Sequence, residues 1–147
     1  MGPAHGPGGL RSRVEAASLC GTDLHIFRWD EWAEGRVGKG LPRIFGHEMA
    51  GGVVAHGDGL LGRLAIPIGT LVAAETHLVD GSCYQCRTGR EHGCANLRVL
   101  GLDIDGAVAD YVGLPAHHAW PAPGPHPAAA APPAARGPAR RSPDRAP

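Results

Sequence analysis

Cys20 to Trp32 read CGTDLHIFRWDEW, and a shorter stretch, Gly46-His47-Glu48, comes later. Cys20, His47 and Glu48 offer a thiolate, an imidazole and a carboxylate, a donor set that suits Zn²⁺ and leaves one coordination position open. Each residue has a plainer reading when taken alone. A lone cysteine is usually a small buried hydrophobe, and a lone histidine is usually hydrogen-bonded and inert. Read together, the three form a candidate metal centre. Thr22 and His25 lie one helical turn apart just beyond Cys20, a spacing that permits a hydroxyl-to-imidazole relay to carry a proton to solvent.

Further along, Asp80-Gly81-Ser82-Cys83-Tyr84-Gln85-Cys86 is followed by Cys94. Donors at Asp80, Cys83, Cys86 and Cys94 would fold the loop around one tetrahedral ion, so that metal bonds stand in for a hydrophobic core. Asp80 is the harder and less usual donor, and His77 and His92 are alternatives for the fourth position. The competing reading is a metal-free lobe with free thiols.

At 147 residues, the length fits about one ordinary domain. Lys and Arg total 14 against 14 Asp and Glu, so no electrostatic footprint for nucleic acid or an anionic membrane is expected. Nine of the 14 prolines fall between Pro121 and Pro147, with four arginines against the single Asp144 and nothing apolar larger than alanine. Such a stretch buries too little to offset its chain entropy and reads as a disordered tail or an arm. The start of the chain is Gly/Pro/Arg-rich without a signal-like apolar segment. Four cysteines, three of them clustered, then point to a reducing cytoplasm and to metal rather than to disulfides. No apolar run is long enough for a membrane span.

Local pattern predicts strands at Arg13 to Ser18, around Gly52-Val53-Val54, at Ile66 to Ile68, at Thr70 to Glu75 and at Ala107 to Leu114. It predicts a helical turn or two from Leu24 to Trp32 and a glycine-rich loop from Gly35 to Pro42. The expected class is mainly β with short helices, a partly open barrel. Gly57-Asp58-Gly59-Leu60-Leu61-Gly62 matches the dinucleotide fingerprint letter for letter. That fingerprint needs a helix starting at the glycines, whereas Pro67 and Gly69 interrupt the segment from Arg63 to Val72, so a surface turn is expected.

The CGTDLH motif, the GHE motif about 25 residues on and the ETH-x5-CxxCx7C lobe together resemble the zinc-dependent medium-chain alcohol dehydrogenases. The more particular CGTDLHIFRWDEW resembles the L-threonine 3-dehydrogenases of that family. The likeness runs from about Val14 to Pro123. It implies a GroES-like fold over 13–120, with a structural-zinc lobe at 77–98, a poorly ordered start at 1–12 and the tail at 121–147. It makes Cys20, His47 and Glu48 ligands of a catalytic zinc, Thr22 and His25 the proton relay, and Cys83, Cys86 and Cys94 structural-zinc ligands. Asp80 stands where the family usually has a cysteine, and His77 lies near the substrate pocket. The implied reaction is NAD-linked oxidation of a secondary alcohol such as L-threonine, in a homo-oligomer. The family's Rossmann domain and any later metal ligand are not in this sequence, so the expected object is a truncated or frame-shifted catalytic domain, inactive alone. Another alcohol or polyol dehydrogenase, or a non-catalytic zinc-binding module, is the alternative.

Overall fold

A computed structural model describes residues 6–59 and 66–122. The first strand, β1 (Gly9–Ser18), is followed by two short helices, α1 (Gly21–Arg28) and α2 (Glu31–Val37), and then by β2 (Glu48–His56). After β3 (Leu71–Ala74) comes the cysteine lobe, carried by β4 (His77–Leu78), α3 (Tyr84–Arg87) and β5 (Arg98–Val99). The chain returns through β6 (Tyr111–Pro115) and β7 (Ala119–Pro121). Strands β6-β1-β2-β3-β7 form one sheet, and β4 pairs with β5 in a separate ribbon.

Strand order forces curvature. β6 and β7 are opposite edges of the sheet, yet only Ala116–His118 separates them. Laid flat, five strands would hold their edges about 19 Å apart, whereas that connection reaches at most about 14 Å. The sheet therefore curls into a partly open barrel, and its inner face collects Leu10, Met49, Val53, Val72, Leu100, Val112 and Leu114 as the core.

The outcome differs from the local pattern in several places. β1 starts at Gly9 rather than Arg13, because Gly9 to Arg13 pair with Pro115 to Tyr111; part of the start expected to be poorly ordered is thus a central strand. The loop expected from Gly35 begins only after α2, which is capped by Asp30 Oδ1 on the Ala33 N–H at 3.0 Å and buries Ala33 and Val37. Ile66 to Ile68 form no strand: Pro67 lacks a donor, and Gly69 turns at φ +88°. Residues 107–110 stay irregular, and the last long strand begins at Tyr111. Gly57 to Gly59 form a turn tied to the first strand by Gly57 N–H to Gly9 O at 2.8 Å. The rest of that glycine motif, Leu60 to Gly62, lies outside the described residues, as does the tail from 123 onward. Among the described residues no helix is long and apolar enough to cross a membrane.

Candidate metal centre

The Gly46-His47-Glu48 segment reaches the site through a knot of glycines. Gly46 adopts φ +90°, open to glycine, and its carbonyl accepts from the Ala107 N–H at 2.9 Å while Gly106 N–H donates to Ile44 O at 2.7 Å. A Cβ at Gly106 would lie 2.1 Å from Gly46 O, and one at Gly101 2.5 Å from the same atom. The three backbones pack with no room for side chains. His47 is then fixed from the other side, where the buried Thr76 hydroxyl donates to its carbonyl at 3.0 Å.

Cys20 is the N-cap of α1, and the Thr22 N–H donates to its sulfur at 3.3 Å. Asp23, at the third helical position, reaches back with Oδ2 to the Cys20 N–H at 2.8 Å, closing a capping box. That local motif aims the sulfur across at His47, whose Nε2 is 3.0 Å from Cys20 Sγ. Glu48 Oε1 lies 4.0 Å from the same Nε2, and Glu48 Oε2 accepts from the Ser18 hydroxyl. His47 is 7% exposed, and its Nδ1 is buried without a hydrogen bond among the described residues, 3.8 Å from Asp23 Oδ1. A buried imidazole turned towards a thiol, with carboxylates on either side, fits a divalent cation better than a packed core. Cys20, Asp23 and His47 gather as a possible ligand group. Asp23 escaped the sequence reading because its role behind the imidazole depends on the fold.

The two candidate relay residues both lie on α1, at positions i and i+3 of the helix. Thr22 lies at the head of α1, while the exposed His25 places Nδ1 2.5 Å from Asp30 Oδ2 and its ring sits tilted against Trp32 at 5.5 Å. Hydrogen bonding from His25 holds the Asp30 carboxyl below its usual range. Asp30 thus caps α2 with one oxygen and fixes a histidine ring with the other.

In the second cluster Cys83 Sγ lies 3.4 Å from Cys86 Sγ and 3.9 Å from Cys94 Sγ, and Asp80 Oδ1 is 3.6 Å and 3.7 Å from the latter two sulfurs. Thiolates held at about 2.3 Å by a tetrahedral ion sit roughly 3.7 Å apart, close to the four separations above. All four cysteines are free thiols. The Cys86 and Ala95 N–H groups pull the Cys83 thiol down, while burial pushes Cys86 up to about 12. Three sulfurs this close ionise together only with a cation among them. The Asn96 amide, then the Ser82 and Cys83 N–H groups, hold the Asp80 carboxyl far below the usual carboxylate range. Among the described residues Asp80, rather than His77 or His92, completes the group. His77 instead faces Glu75, Nδ1 to Oε1 at 3.3 Å, and that contact raises its pKa.

Comparison with known proteins bears on the family and the fold. L-threonine 3-dehydrogenase of Pyrococcus abyssi is 48% identical over 118 residues, which is 80% of this chain and 32% of that protein. A crystal structure of an NAD-dependent alcohol dehydrogenase superposes with TM-score 0.73 at 30% identity, covering 84% of this chain and 34% of that one. A cobalt- and zinc-bound thermostable alcohol dehydrogenase from Pyrobaculum aerophilum gives TM-score 0.72 at 29% identity, over 84% and 36% of the two chains. The chain therefore spans about a third of the length of the curated relatives it matches. Residues 6–124 match the alcohol dehydrogenase GroES-like domain. With its curled antiparallel sheet, its Cys20–His47 pairing and its cysteine lobe, this chain belongs to the alcohol dehydrogenase GroES-like domain family.

Proposed function

We propose that this chain supplies the metal-binding catalytic part of a zinc-dependent, NAD-linked dehydrogenase of the L-threonine 3-dehydrogenase type, which oxidises L-threonine to 2-amino-3-oxobutanoate. The observation that carries the reading is the 3.0 Å approach of Cys20 Sγ to His47 Nε2, with Glu48 alongside. Cys20, His47 and Glu48 would hold the catalytic zinc, and Asp80, Cys83, Cys86 and Cys94 the structural one. Zinc at the first site supplies a Lewis acid that makes a secondary alcohol acidic near neutral pH.

The chain's own residues do the rest. Asp23, behind the imidazole, keeps His47 Nε2 facing the cysteine. With its Nδ1 engaged by Asp30, His25 presents Nε2 as the proton acceptor, and the Thr22 hydroxyl hands it the substrate proton on the way to solvent. A nicotinamide, when bound, would supply the hydride acceptor that oxidation of the alcohol needs. Four unpaired cysteines support a reducing compartment, the cytoplasm.

The test combines the zinc-loaded chain with the nucleotide-binding domain of a relative and follows NADH formation. The chain alone should form none, and the pair should respond to L-threonine and lose that response in C20S. NADH from sorbitol or a simple alcohol but not from L-threonine would reassign the substrate to a polyol or simple alcohol. No NADH from any of them, with both partners folded and zinc bound, would leave a non-catalytic zinc module.

A further inference from the structure

We infer that Asn96, assisted by Ser82, is a positioning residue that divides the two oxygens of Asp80 between protein and metal, so that the lobe is a three-thiolate, one-carboxylate centre for a zinc-like divalent ion. The inference rests on the reading that this lobe binds metal. A carboxylate in the place of a thiolate poses a geometric problem, because two oxygens with about four lone-pair positions allow an aspartate to bind through one oxygen, through both, or to turn away.

The surroundings of Asp80 remove that freedom. Oδ2 accepts from Asn96 Nδ2 at 2.5 Å and from the Ser82 hydroxyl at 3.2 Å. Oδ1 accepts from the Ser82 N–H at 2.9 Å and the Cys83 N–H at 3.2 Å, and it alone faces Cys86 and Cys94, at 3.6 Å and 3.7 Å. Both oxygens accept two protein hydrogen bonds, Oδ2 from side chains and Oδ1 from backbone N–H groups, and Oδ1 alone also faces the sulfurs. Asn96 comes from the far side of the loop, two residues past Cys94, so it also ties the two ends of the ligand set together. Hydrogen bonds that orient a ligand typically change metal affinity by about 10- to 100-fold when removed.

The experiment titrates the full chain with Zn²⁺ against a chromophoric chelator. Lobe occupancy is read as protection of Cys83, Cys86 and Cys94 from alkylation by mass spectrometry, and the Co²⁺ form is recorded in the near-UV and visible. N96A should weaken lobe affinity about 10-fold or more, keep the charge-transfer intensity of three thiolates and shift the visible cobalt bands as the carboxylate is released. N96D, similar in shape but without a donor, should do at least as much. N96Q, which keeps the amide, should recover part of the loss. D80C should add thiolate charge-transfer intensity and abolish the effect of N96A, because a thiolate has one donor atom and needs no partition. Equal losses from N96A in the native and D80C backgrounds would make Asn96 a general structural residue and overturn the inference, as would no loss in either. If the three lobe cysteines alkylate equally with and without Zn²⁺, the lobe reading itself falls and the inference with it. Protection that is insensitive to every Asn96 variant overturns the inference alone.

Discussion

Glycines set the tolerances of this molecule at the level of single residues. A Cβ at Gly106 would meet Gly46 O at 2.1 Å and Phe45 O at 2.6 Å, both backbone atoms that cannot swing aside. G106A should therefore cost about 3 kcal/mol in chemical denaturation and, by moving Gly46, weaken metal uptake at His47. Gly35 is the contrasting case. It sits inside α2 with nothing within 4 Å of a built Cβ, and G35A should stabilise the fold by about 1 kcal/mol. His118 adds a pH term. Burial, with the neighbouring His117 next, lowers its pKa, and its Nε2 accepts the Val79 N–H at 3.1 Å, which requires the neutral ring. A depressed folded-state value means that the stabilisation is present above the unfolded histidine value of about 6.5 and is lost as pH falls through the folded one. Thermal melts from pH 7.5 down to 5 should show a steeper decline for the native chain than for H118N.

Among the secondary-structure elements, α2 is tied by a fork to the chain that follows β5. Arg36 on α2 makes two bonds of 2.6 Å to the two oxygens of Asp103, and Asp103 Oδ2 also accepts the Val99 N–H at 2.8 Å. The pair is partly exposed, at 36% and 24% of side-chain area, so its coupling in a double-mutant cycle of R36A and D103A should be about 1 kcal/mol. R36K should recover little of it, since an ammonium cannot fork. The same elements show what a sequence reveals. The second strand was legible from Val53 and Val54, because adjacent β-branched residues favour extended backbone. The extension of α2 was not: only Ala33 and Val37 face inward, too few to establish a period, and the helix is held by the Asp30 cap instead. Ala107 resembled the start of a strand because it opens the stretch AVADYVGL, but its N–H is spent on Gly46. Cys20, His47 and the lobe cysteines could be picked out as candidate ligands because few residue types can donate to metals. Asp23, Asp30, Thr76 and Asn96 could not, since Asp, Thr and Asn are common and their partners are chosen by the fold.

For the whole molecule, the cysteine lobe stands apart from the five-stranded sheet. The lobe closes on a two-residue strand pair and short helical turns, and its buried cysteines, Cys86 and Cys94, lie outside the main core cluster. With zinc bound as proposed, metal bonds would be its main source of cohesion. EDTA should lower the melting temperature of the zinc-loaded chain and expose Cys83, Cys86 and Cys94 to alkylation, and C86S should mimic both effects without the chelator. An unchanged melt would mean that the lobe stands without metal. The curled sheet has a last consequence, in the order of synthesis. Leu10 pairs with Leu114, near the two ends of the described fold. On the ribosome β1 can find β2 early, but its other edge stays open until Pro115 has emerged. Throughout that interval the nascent chain carries an unpaired strand edge next to Leu10, a surface that another chain can extend and that a chaperone has reason to cover.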